Sequence, residues 1–264
     1  MRVAVRGVSV WGPGLSGWAQ AAPVLRGEAP WVAAPVQPPP PASLPANERR
    51  RAGAVTRLAL ALAEDACTQA GFAPAEVRGV FASSNGDGAV LDDILRALTT
   101  PGGDVSPTRF HNSVHNTAAG YWTIGHASLA PAVALGCFDW SFGQGLLKAA
   151  AECVVEDAPV LLVAYDLPIP GPIGTARVTR DAFGCALMLV PCGTPGAGAM
   201  LDLSYKTGPI GPAEAGEQLG SILIDNNPAA SSLPLMAAIA RHGTGARSPV
   251  RIPCLPGHLT IEVT

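Results

Sequence analysis

The chain has 264 residues, 14% of them charged and 48% hydrophobic, with a mean hydropathy of +0.28. That length supports one large domain with a sizeable core and excludes a stapled mini-protein, while the apolar content fits broad buried faces or an obligate partner. A net charge of -3 offers no basic field to neutralise phosphates, so nucleic acid is not expected as a ligand.

Along the chain, residues 3–10 alternate at Val3, Val5, Val8 and Val10 and read as a strand that closes on the turn Gly12, Pro13, Gly14. Residues 1–10 lack the continuous apolar core of a signal peptide, and the longest apolar runs, 58–63 and 160–164, fall short of the roughly 18 residues that span a bilayer. No membrane span is expected, and the expected location is the cytoplasm. Six cysteines without a CxxC pair fit a reducing compartment, most of them as small core residues.

Residues 27–45 are rich in Pro and Ala, with four consecutive prolines at 38–41, and read as a surface excursion. Val55, Leu58, Leu62 and Ala66 recur at helical spacing, which predicts a helix over 48–70 with Gly71 as its left-handed C-terminal residue. Residues 77–83 read as a strand, SSNGDG at 83–88 as a small-residue turn, and 90–98 as a short helix. Asn116 can cap a helix through Gly125, and 131–135 is a short apolar strand. Ser141 and Gln144 have capping-box spacing before a helix over 142–155. Two more buried strands follow at 160–164 and 186–190, around a turn-rich segment 167–182. Strands alternating with helices predict an α/β fold with a largely buried sheet. Past residue 195, only 201–205 and 259–263 alternate like strands, and 233–241 can form one helix.

The order of these segments resembles the N-terminal half of β-ketoacyl synthases, from residue 3 to about 191. RVAVRGVSVWGPG is similar to that family's first strand and glycine turn, residues 48–72 to its long helix, and GVFASSNGDG to its second strand and turn. SPTRFHNSVHNTAAGYWTIG resembles the segment carrying a characteristic Asn, Ala, Gly sequence, and VALGCFDWSFGQGLLKAAAECV takes the place of the strand, nucleophile turn and helix. VLLVAYD and DAFGCALMLV resemble the last two strands of that half. FHNSVHN, WSFGQGLLKA and LLVAYD together are most similar to the short chain length factors of aryl polyene pathways. The resemblance implies a thiolase-like layered α/β fold with a complete first repeat, residues 1–191, and a truncated second half, 192–264, that completes the same domain.

Claisen condensation on a carrier-bound acyl chain needs an activated thiolate and separate groups to drive decarboxylation and hold the oxyanion. The family supplies a Cys and two His. Cys137 is the one credible nucleophile, but Phe138, Asp139 and Trp140 replace the small residues that follow it in the family. They would crowd the site, and Asp139 would set a negative charge beside a group that must become an anion. A helix starting at Ser141 also leaves Cys137 outside the first turn, with less of its dipole. HGTG at 242–245 has the wording of the first catalytic-His motif, and Pro256, Gly257, His258 echo the second. His242, however, trails the helical pattern LPLMAAIAR and His258 opens the strand-like HLTIEV, so both are read as coincidental.

The remaining motifs receive plain readings. His111 and His115 have a metal-ligand spacing but lack a third ligand, and the Gly-rich turns lack the P-loop and GxGxxG patterns. No metal or cofactor is expected. The resemblance implies a non-catalytic, chain-length-factor-type subunit that forms a heterodimer with a catalytic ketosynthase, shapes its acyl tunnel and meets acyl carrier protein through the complex. Phe110, Asn112, Asn116, Trp122, Phe138, Asp139, Trp140 and Phe142 are the expected tunnel or partner-interface residues. The alternative is a stand-alone condensing or acyl-transfer enzyme that uses Cys137.

Overall fold

The computed structural model describes residues 1–208, 223–224, 226–243 and 249–264. Its strands are β1 (Arg2–Gly12), β2 (Leu15–Ser16), β3 (Arg78–Ala82), β4 (Ala132–Leu135), β5 (Val160–Asp166), β6 (Phe183–Val190), β7 (Met200–Thr207), β8 (Val250–Cys254) and β9 (Gly257–Val263). They form one mixed sheet in the order β4-β3-β5-β6-β1-β7-β9-β8, with β2 paired to β1. The trio β4, β3, β5 is parallel, and the remaining pairings are antiparallel.

Every residue of β5 and β6 is buried, which explains why both read as continuous apolar runs. The period-2 geometry sends Leu161, Val163 and Tyr165 into one core and Val160, Leu162 and Ala164 into the other. Helix α3 (Ala54–Ala70) and α6 (Thr117–His126) cover the first face. Helices α1 (Trp18–Arg26), α7 (Ser141–Glu156) and α9 (Leu233–Ala240) cover the second. The result is the layered α/β arrangement expected from the sequence. Beyond residue 191, β7, β9 and β8 extend the sheet past β1, and Leu201, Ile252, Leu259 and Ile261 join the same core as Val3 and Val5.

Several elements differ from the sequence reading. The helix expected over 48–70 is two, α2 (Ala46–Arg51) and α3, because Ala52 is extended at the junction. Gly53 there faces Asp87, and a Cβ on it would stand 3.0 Å from Asp87 Oδ2, so the break lets the turn after β3 approach. Helix α1 escaped detection because it carries Pro23 in its interior, and its clear signal is Gly27, left-handed at φ 78°. The short helices α5 (Pro107–Asn112) and α8 (Gly171–Ala176) each begin with a proline at the first or second position, where its missing N–H costs nothing. The capping box at Ser141 does not form: Trp140 is the N-cap residue, and the Gln144 amide instead donates to the Leu255 carbonyl at 3.0 Å. Asn116 does precede α6, but its side chain makes no capping bond.

Four of the six cysteines are buried, as the composition suggested, and burial pushes the thiols of Cys67 and Cys185 up to about 12. Close approach of β1 to α3 depends on Gly7, where an added Cβ would lie 2.1 Å from the Ala66 carbonyl oxygen. Gly7→Ala must push helix from sheet, so urea denaturation should read a loss of about 1–3 kcal/mol. An unchanged midpoint would show that this contact does not set the packing distance.

Candidate functional site

Because β4, β3 and β5 are parallel, their C-terminal ends open on one edge of the sheet, where loops of α/β folds gather functional groups. Three connections meet there: the turn 83–87, the turn 136–140 and the excursion 167–182. Beneath them lies Asp166, the last residue of β5, buried at 1% exposure. Its Oδ1 accepts from Ser83 Oγ (2.9 Å), Ser84 N (2.9 Å) and Asn85 N (3.0 Å). Burial pushes the Asp166 carboxyl up to about 7, against the opposing pull of these three donors and of the Arg177 charge. Asn227 completes the floor, its Nδ2 donating to the carbonyls of Asp166 (2.8 Å) and Asp181 (2.7 Å). Asp87 at the end of the turn caps α4 (Gly88–Thr99) by accepting from Val90 N.

The 136–140 turn is tightly specified. A Cβ on Gly136 would meet His115 Nε2 at 2.9 Å, and that nitrogen donates to the Ser83 carbonyl at 3.0 Å. Cys137 is half-buried, and its N–H donates to Ser141 Oγ at 2.9 Å, while the Ser141 hydroxyl donates to the Phe138 carbonyl at 2.7 Å. Among the described residues three non-glycines have positive φ: Ala127 and Asp157 are helix C-caps, and the third is Phe138 at 53°. Left-handed backbone at a bulky residue costs roughly 1–2 kcal/mol, so neighbouring contacts must hold it there.

Arg177 supplies several of those contacts. Its guanidinium carbon sits 3.9 Å from the centre of the Phe138 ring, and it pairs with Asp139. It also donates to Ser84 Oγ at 2.6 Å and Asn85 Oδ1 at 3.1 Å. Asp139, expected beside Cys137, is therefore paired with Arg177. On the far side, Gly143 in the first turn of α7 takes the close approach of β8: a Cβ there would lie 2.0 Å from the Pro253 carbonyl oxygen.

The sequence-expected residues divide between surface and core. Phe110 (67% exposed) and Phe138 (55%) are open, Asp139 and Asn116 are exposed, and Trp140 is half-buried with its ring 6.1 Å from that of Phe138. Trp122 and Phe142 are instead core side chains at 1% exposure and do not reach the chain's surface. Trp122 packs against Phe81 and against His126, with ring centres 6.3 Å and 4.3 Å away. Asn112 is also buried, its Nδ2 donating to the Arg51 carbonyl at 2.8 Å and its Oδ1 accepting from Tyr121.

The histidines take separate partners. His111 meets Tyr121 edge-on, and His115 meets Ser83. His258 Nδ1 approaches the Gly208 carbonyl at 3.4 Å, and His242 lines a cleft with Arg6, Trp18 and Arg26 that none of residues 136–140 lines. Thr244 and Gly245 of HGTG lie outside the described residues. Sequence reasoning missed Asp166, Arg177 and Asn227. A carboxylate closing the apolar run LLVAYD was a usable signal for Asp166, whereas nothing local distinguishes Arg177.

A layered α/β sheet with a cysteine turn leading from a parallel strand into a long helix defines a thiolase-like fold of the ketosynthase type. The chain belongs to the family of the β-ketoacyl synthase N-terminal domain, whose model matches residues 18–221. Among solved structures it is similar to a ketosynthase (ApeO) in complex with its chain length factor (ApeC) from Xenorhabdus doucetiae, at TM-score 0.70 and 21% identity over 100% of this chain and 99% of that one. It is also similar to the ishigamide ketosynthase/chain length factor, at 0.66 and 18% over 100% and 99%. A third likeness is to the AntDE:AntF complex, a type II PKS acyl-carrier protein with its ketosynthase bound to the hexaketide, at 0.74 and 12% over 99% and 98%. No curated protein matches the sequence.

The Asp166 carboxyl carries a sign that can be checked. With its folded-state value near 7 and an unfolded value near 4, the native chain holds more protons between those limits, so this group's contribution to stability falls as pH rises from about 4 to about 7. Asp166→Asn keeps an Oδ1 acceptor for the three donors and should flatten that part of the melting-temperature profile. An identical slope in the variant would place the titration elsewhere.

Proposed function

We propose that this chain is a non-condensing, chain-length-factor-type subunit that pairs with a catalytic ketosynthase and shapes its acyl tunnel. The observation that carries this reading is the closed turn after β4. A condensing site needs a backbone N–H free to receive the oxyanion beside the nucleophile. Here the Cys137 N–H is already engaged by Ser141 Oγ, and the turn that follows carries the bulky Phe138, Asp139 and Trp140. The partner would bring the reactive cysteine and most of the docking surface for acyl carrier protein. Residues 192–264 on this reading close the same domain rather than build a second catalytic half.

The edge of the sheet supports a paired state. The carbonyls of Pro131, just before β4, and of Leu135 accept from Gly79 and Ser83 of the β3 side, so alternation turns the N–H and C=O of Ala132 and Ala134 away from the sheet. Among the described residues no strand pairs with that side of β4, and an edge of this kind is a template for another strand. Beside it Leu129 is 99% exposed, Ile124 49% and Val133 37%, an apolar border that a partner would cover. The ketosynthase and chain length factor complexes named above support a paired state, and the choice of this edge rests on the exposed strand and its apolar border.

Two measurements test the reading. Condensation of carrier-bound acyl thioesters should be absent with this chain alone and present when the ketosynthase is added, and turnover by the isolated chain would favour the Cys137 enzyme instead. Leu129→Asp, at a fully open position, and Ala134→Pro, which removes an outward N–H, should each weaken co-purification of the pair by about tenfold or more. Undiminished pairing in both variants would move the interface off this edge.

A further inference from the structure

The strained Phe138 backbone and the contacts of Arg177 lie at one place. Phe138 is held in the left-handed region at φ 53°, which a bulky side chain disfavours. The Arg177 guanidinium lies over the Phe138 ring and pairs with Asp139, and the Arg177 side chain is only 21% exposed. Arg177 is itself held. Its backbone N–H donates to the Ile173 carbonyl at 2.8 Å, and Thr179 Oγ1 accepts from Asn85 Nδ2 at 2.9 Å. The excursion that carries it is seated on α4: a Cβ on Gly171 would stand 2.1 Å from Asp92 Oδ1, and one on Gly88 would stand 2.9 Å from Ile169. A fixed base therefore reaches across with one guanidinium to the 83–87 turn through Ser84 and Asn85, and to the 136–140 turn through Phe138 and Asp139.

We infer that Arg177 is a positioning residue that locks the 137–140 turn in its strained form and so presents Phe138 and Trp140 as a preformed aromatic ledge that sets the length of acyl chain accepted. The lock stands on the geometry of this chain alone, whereas its consequence for acyl length rests on the proposed pairing with a ketosynthase. Preorganisation is the physical gain. A ledge whose backbone is already fixed loses little entropy when an acyl chain or a partner wall meets it, and it resists displacement by extra carbons. Planar and forked, the guanidinium can lie on the ring and still donate at its edge, a combination that an ammonium reproduces only in part.

The test has two arms. In the purified chain, hydrogen exchange is followed at the amides of Cys137, Trp140 and Ser141, each bonded within the turn. Arg177→Gln should speed exchange there by about tenfold, with β5 and β6 amides unchanged as the control for folding. Arg177→Lys should fall between, and Asp139→Asn should reproduce part of the effect. In the reconstituted pair, Arg177→Gln should broaden the product-length distribution and Arg177→Lys should partly restore it. Unchanged exchange in the Gln variant overturns the lock, and faster exchange with an unaltered product distribution overturns its role in selecting length. If the unmodified pair fails to form, the proposed function is what has failed, and the exchange arm still decides the lock.

Discussion

A single buried carboxyl oxygen organises the loops at the C-terminal ends of the parallel strands. Asp166 ends β5, a strand buried along its whole length, and its Oδ1 collects a hydroxyl and two backbone N–H groups from the turn after β3. Leaving those donors unpaired in the interior would cost on the order of 1–3 kcal/mol each, so the turn can take one path over the strand end. That path sets Ser84 and Asn85 where Arg177 can reach them, and Arg177 in turn holds Phe138 and Asp139. The shape of the cysteine turn is thus inherited from a carboxyl group buried at the end of β5, on the other side of β3.

On the proposed reading, the same chain of contacts separates this turn from a working nucleophile site. Condensation asks for an open approach to the sulfur and for unengaged donors aimed at a developing oxyanion. Here Ser141 bridges the Cys137 N–H and the Phe138 carbonyl, and closes the loop on itself before α7 begins. Phe138, Asp139 and Trp140 stand out in the sequence as bulky residues after the cysteine, but the contact that ties them to the rest of the site does not: Asp139 anchors the turn to Arg177.

How far the sequence reveals this depends on whether a signal is local. Strands β1, β3, β5 and β6 announce themselves by apolar runs between turns, and α3 by its apolar spacing and the left-handed Gly71. Helix α1 hides behind Pro23, and β8, with alternating burial but only five residues, carries too short a pattern to be recognised. Cys137 and its bulky neighbours could be singled out because they are consecutive. Arg177 could not, since it is 93 residues from Ser84 and 38 from Asp139 and lies in a stretch read as turns. Trp122 and Phe142 lie within the motifs singled out in the sequence, but α6 and α7 turn both into the core, a question of helix phase that residue type does not settle.

The central claim is that reactive sulfur chemistry belongs to a companion subunit and not to Cys137. Mass spectrometry of the pair, quenched during elongation with carrier-bound acyl substrates, addresses it most directly by locating the covalent acyl group. The account predicts an acyl thioester on the ketosynthase cysteine and a free thiol at Cys137. An acyl adduct on Cys137 that is consumed by the extender substrate would contradict it.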